Sequence, residues 1–136
     1  MISRIWHGYT TKDNADKYQN LLQNEIFVVI KNKKIKGYKG IQLFRRELTD
    51  ETEFITIMWF ESLEDVIDFA GQDYDNAVVP IIARKVLTRY DHRSQHYLVQ
   101  IDNFKNIRFS KNSIVANWSV ETIVSMWRNN YVIMQK

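Results

Sequence analysis

The spacing of apolar positions changes period within one short stretch, Phe54 to Gly71. From Phe54 to Phe60 the chain is rich in β-branched and aromatic residues, which suit a pleated surface. Alternation puts Phe54, Thr56, Met58 and Phe60 on one side and Ile55, Ile57 and Trp59 on the other. Neither side is charged, so the pattern predicts a strand covered on both faces. Ser62, with Asp65 three residues on, then predicts a helix N-cap. Leu63, Val66, Ile67 and Ala70 form an apolar helical stripe, and Gly71 is a natural stop because glycine tolerates positive φ.

The same reading extends along the chain. Ile2–Tyr9 predicts a first strand. A capping box from Thr10 to Asp13 predicts a helix with Tyr18, Leu21, Leu22 and Ile26 on one side. Ile26 to Ile30 is read as the helix end, and the lysine-rich segment closing at Gly37 as a loop. Tyr38–Leu48 predicts a second strand, joined to the third by the polar turn at Thr49–Thr52. After the second helix, Pro80 suits the first turn of another, with Ile81, Ile82, Val86 and Leu87 as its buried side. Gln95–Ile101 predicts a last strand, with Tyr97, Val99 and Ile101 on one face and His96 and Leu98 on the other. Strand, helix, strand, strand, helix, strand is the ferredoxin-like βαββαβ order of an α+β fold with an antiparallel sheet. Residues 1–101 make this unit, and residues 102–136 are a C-terminal extension with a short helix near 119–128. That helix carries Val120, Ile123, Val124 and Trp127, a stripe that favours docking over exposure.

Composition narrows the function classes. The 136 residues contain no cysteine, which removes disulfides, thiolate catalysis and cysteine-based metal sites. No apolar run is long enough to span a membrane, and MISRIWHG lacks the design of a signal peptide, so a cytoplasmic protein is expected. The net charge of +3 falls wholly in residues 101–136. Lys31, Lys33, Lys34, Lys36 and Lys39 form a local cluster, but no nucleic-acid-binding motif accompanies it, so it reads as a solvated loop. Glycine-rich phosphate loops, nucleophile elbows and metal-ligand histidine spacings are absent, and no cofactor or metal is expected from motifs.

MISRIWHG, MWFESLEDVIDFAG and HYLV together resemble the antibiotic biosynthesis monooxygenase-like family, over about residues 1–100. Trp59, Glu61 and Ser62 match that family's tryptophan, acidic residue and serine at the end of strand three. The resemblance implies a dimeric α+β barrel. It implies either a cofactor-independent monooxygenase acting on a small aromatic or quinol-like molecule, or a non-catalytic small-ligand-binding dimer. A haem-degrading branch shares the tryptophan but uses a first-strand asparagine and a histidine ligand after the second helix. Here the first strand offers Ile5, Trp6 and His7, and Val78, Val79 and Pro80 stand at the ligand position, which disfavours haem.

Four residues are candidates for the site. His7, on the face of Ser3, Ile5 and Tyr9, could take a proton from a phenolic substrate, or simply hydrogen-bond at a strand end. His96 on the last strand has the same two readings. Trp59 could stack on an aromatic ligand or fill core space. Arg4, between Ile2 and Trp6 on an apolar face, requires either a carboxylate partner or a ligand anion. Both faces of strands one and three are apolar, so a homodimer packed sheet to sheet is expected.

Overall fold

The computed structural model describes residues 1–104, and the chain divides into two units, Met1–Gln100 and Ile101–Lys136. The expected helix near 119–128 lies outside the described residues. The first unit runs β1 (Ile2–Thr10), α1 (Ala15–Leu21), a π-helical turn (Leu22–Ile26), α2 (Phe27–Asn32), β2 (Tyr38–Glu47) and β3 (Thr52–Phe60). It continues with α3 (Leu63–Ala70), α4 (Ile81–Arg84), β4 (Arg89–Tyr90) and β5 (Gln95–Leu98). β3 lies between β2 and β1, and β4 and β5 both pair with the far edge of β1, antiparallel throughout. This is the ferredoxin-like α+β arrangement.

Register assigns the two faces. Ile5 stands opposite Ile57, Trp6 opposite Thr56, and Ile41 opposite Met58. Ile2, Arg4, Trp6, Phe54, Met58 and Phe60 therefore share the side that the helices cover. One cluster on that side joins Phe54 to Ala15, Tyr18 and Leu22, together with Ala83, Val86 and Leu87. A second joins Ile2, Met58 and Phe60 to Val66 of α3. Ile5, His7, Ile55, Ile57 and Trp59 occupy the other face and are only half-buried within this chain.

Several local expectations are corrected. Thr10 makes no cap: it ends β1, fully buried, and the Oγ1 of Thr11 accepts from the Asn14 N–H at 3.2 Å instead. The helical stretch runs on to Asn32, so the loop before Gly37 is shorter than the lysine pattern suggested. Ser62 caps α3 as expected, accepting from the Asp65 N–H, and Gly71 ends it at φ 92°. Yet Leu63 is exposed while Asp65 is buried, because the Ser62 hydroxyl donates to the Asp65 carboxylate at 2.9 Å. Ile81 and Ile82 are 69% and 50% exposed; Ala83, Val86 and Leu87 carry the buried side. Pro80 is the N-cap of α4, ahead of its first turn, and with only four residues α4 cannot turn all its apolar positions inward. The last strand is two pieces, since residues 91–94 leave the ladder between β4 and β5.

The β2–β3 hairpin is closed by a polar knot. Glu47 accepts from Thr52 Oγ1 at 2.7 Å, Arg45 Nε at 2.8 Å and Lys12 Nζ at 3.1 Å. The Thr52 hydroxyl, followed by Arg45 and Lys12, holds the Glu47 carboxyl down to about 2. A folded-state value below the ordinary one means that this support is present above about pH 4.5 and is lost as the pH falls through about 2. A carboxyl-carbon NMR titration should place the Glu47 midpoint near 2, and Thr52→Val should raise it. A midpoint at the ordinary carboxylate value would show that the knot does not form in solution.

Candidate functional site

Three departures from regular structure meet on the helix-covered side of the sheet. The first is the π turn at Leu22–Ile26, a widened turn of a kind often found at functional sites. The second is the break at residues 91–94 in the edge of the sheet. The third is the irregular connection that brings Val78, Val79 and Pro80 across from α3 to α4. Between them lies a cavity of about 70 Å³. Leu22, Ile26, Phe27 and Ile30 form its helical wall; Ile41, Thr56 and Met58 form its floor on the sheet. Val78, Val79, Pro80 and Ala83 close the far side.

Trp6 and Arg4 reach this cavity from β1. Trp6 can lie flat along the strand because Gly8 has no side chain; a Cβ there would meet the indole ring at 2.7 Å. Its Nε1 donates to the Asp91 carbonyl at 2.8 Å, tying the ring to the strand break.

Arg4 is 3% exposed. Its Nη1 donates to the Tyr74 carbonyl, and its Nη2 donates to the Asn76 carbonyl at 2.9 Å. Nη1 also lies 2.9 Å from His96 Nε2, and His96 Nδ1 lies 3.1 Å from Asp75 Oδ1. A guanidinium has only donors, so His96 Nε2 must accept; the ring proton is on Nδ1 and is donated to Asp75. Burial, then the neighbouring Arg4 charge, pushes the His96 imidazole below its ordinary value, with Asp75 opposing. Burial lowers the Arg4 guanidinium to about 10, again opposed by Asp75, so it stays charged at neutral pH. With both ring nitrogens engaged, His96 orients Arg4. The carboxylate foreseen for Arg4 is present at one remove, through the imidazole.

The structure therefore brings Arg4 and His96 together and places His7 and Trp59 elsewhere. His7 lies on the opposite face, with Nδ1 3.0 Å from Asp91 Oδ2. Trp59 is on that face too, its Nε1 donating to Gln42 Oε1 at 2.8 Å. Trp6, Tyr18, Thr56 and Ser94 line the cavity and were not singled out from sequence. Strand alternation puts Trp6 beside Arg4 and could have found it. Ser94 carries no such signal, because it sits in the strand break. Burial pushes the Tyr18 hydroxyl up, so it is a neutral donor there. Among the described residues no histidine lines the cavity, and neither this lining nor this volume fits a haem.

No family model and no curated protein matches the chain. Among solved structures, a Bacillus cereus protein provisionally assigned as an antibiotic biosynthesis monooxygenase is similar, with a TM-score of 0.55 and 10% identity. The match covers 76% of this chain and 97% of that one. At such identity the likeness shows the fold and leaves the chemistry open.

Proposed function

We propose that the protein binds a small, mainly apolar organic molecule between its sheet and its helices. The observation that carries this reading is the cavity itself: an apolar lining on a rigid sheet, with a few buried polar groups converging on it. Its about 70 Å³ is smaller than the roughly 150 Å³ of a dry cavity that takes up benzene, so a ring-sized ligand must displace part of the helical wall. Phe27 and Ile30, next to the π turn, are the side chains placed to yield.

A second reading, cofactor-independent oxygenation of a small aromatic or quinol-like molecule, is what the resemblance carried by MISRIWHG, MWFESLEDVIDFAG and HYLV implies, on a fold shared with the Bacillus cereus protein. The cavity offers such chemistry a charged donor in Arg4 and neutral donors in Tyr18, Thr56 and Ser94, but no vacant base among the described residues. A substrate would have to arrive already ionised. The protein acts as a homodimer in this proposal, packed through the sheet face that carries Ile5, Ile55, Ile57 and Trp59. His7 and Trp59 then serve the interface.

Purified protein should melt at a higher temperature in the presence of small neutral aromatics such as indole and benzamide. A ligand at 100 times its Kd stabilises by about 2.7 kcal/mol. No shift with any member of such a panel, or with the matching carboxylates, would remove the binding reading. Oxygen uptake above the spontaneous rate with anthrone-type or dihydroxynaphthalene-type compounds would establish the catalytic one; uptake at the spontaneous rate across both types would discard it.

A further inference from the structure

We infer that the cavity selects an organic anion, with an apolar body among Ile26, Ile41 and Met58 and a carboxylate or ionised enol oxygen against Arg4. This rests on the proposed binding role of the cavity and adds the charge of the ligand. A buried charge is normally paired directly with an opposite one. Arg4 is held instead by two backbone carbonyls and a neutral imidazole. The Phe69 ring, 5.7 Å from the guanidinium carbon, adds a weak cation–π contact. Asp75 touches His96 and not Arg4, and its side chain is half exposed to water.

The guanidinium is thus oriented but incompletely neutralised, and it sits in the wall of an apolar cavity. Both N–H groups of Nη1 and one of Nη2 are engaged, whereas Nε–H and the second N–H of Nη2 have no acceptor among the described residues. Ser94 and Thr56 contribute hydroxyls to the same lining. An anionic oxygen would complete the set, and hydrogen bonds to charged partners are about twice as strong as neutral ones. His96 and Asp75 are positioning residues in this scheme: they hold the guanidinium plane and stay out of ligand contact.

Two probe pairs of matched shape test the inference: butyrate against butyramide, and benzoate against benzamide. Binding to the full chain is followed at pH 7 by the NMR signals of the Arg4 Nε–H and the Trp6 indole N–H. The anion of at least one pair should bind about 10-fold or more tightly than its amide and should shift the Arg4 signal. Arg4→Met should bring the two affinities within about twofold, and His96→Phe should reduce the preference without abolishing amide binding. If the amides bind in the cavity and the anions bind no better, the anion inference fails and the binding reading stands. If none of the four perturbs either signal, both fail. Should Arg4→Met not fold, the wild-type comparison of anion with amide decides the matter by itself.

Discussion

A glutamate in place of Ile57 should leave the protein folded and dissociate the proposed homodimer. Ile57 is at the middle of β3, flanked by Ile5 on β1 and Gln42 on β2, on the face turned away from the helices. Ile55, Phe44 and Trp59 neighbour it on the same face, and Tyr97 lies further out on that face on β5; Phe44 and Tyr97 are about half exposed in the single chain. An antiparallel sheet whose second face meets water normally alternates to polar residues, and here the centre of that face is Ile5, Ile55, Ile57, Phe44 and Trp59, with polar residues such as Arg46, Glu53 and Gln95 towards its margins. In a twofold dimer each substitution is present twice, and an unpaired buried carboxylate is unfavourable by about 3–5 kcal/mol. The dimer Kd should therefore rise by at least about a thousandfold. Sedimentation velocity from micromolar to hundred-micromolar protein reads this directly. A wild-type monomer throughout that range would refute the dimer, and an Ile57→Glu variant that dimerises like the parent would show that another surface is used. On a half-exposed site of a monomer, by contrast, the substitution would cost little.

The second large effect is expected at Phe54. Its side chain is fully buried, and its ring meets Tyr18 edge to face with centroids 5.0 Å apart. The Arg45 guanidinium carbon lies 5.6 Å from the same ring, and Arg45 is itself held by Asp16 and Gln19 of α1. Phe54 thus fastens the first helix to the centre of the sheet. Phe54→Ala should destabilise by about 3–5 kcal/mol, from lost burial and from the hole left beneath Tyr18. Urea denaturation measures it, and an unchanged m-value would show that the cost is one of stability alone. Because Tyr18 also lines the cavity, the variant should weaken indole binding along with stability. A loss below about 1 kcal/mol would mean that Tyr18 collapses into the space and that the helix does not depend on this contact.

The strands and the sites of the main helices were legible because each depends on local periodicity. The alternation in Phe54–Phe60 became a strand buried on its even side, and Ser62 became the cap of α3. Where local rules competed, reading by spacing went astray. Leu63 fits the stripe of α3, yet Asp65 takes the buried place against Gly37, which has no side chain to exclude it, and the Ser62 hydroxyl offsets part of the cost of burying its carboxylate. Ile81 and Ile82 followed a proline and looked like a core stripe; a single helical turn buried Ala83 instead. The break at residues 91–94 had no apolar signature at all.

The candidate site divides along the same line. Sequence alone determined that Arg4 sits on an apolar strand face, that a partner for its charge was required, and that the fold is an α+β sheet with helices on one side. Those conclusions need only alternation, burial and the high cost of an unpaired charge. Only the tertiary structure decided which groups answer Arg4. Tyr74, Asn76 and His96 are separated from it by 70 or more positions, and they meet it because β5 pairs with β1 while residues 74–77 fold back against the strand break; Asp75 acts through His96. It also decided that His7 and Trp59 face away from the cavity, since the side chains of one strand alternate between two surfaces and register alone selects which surface the helices cover.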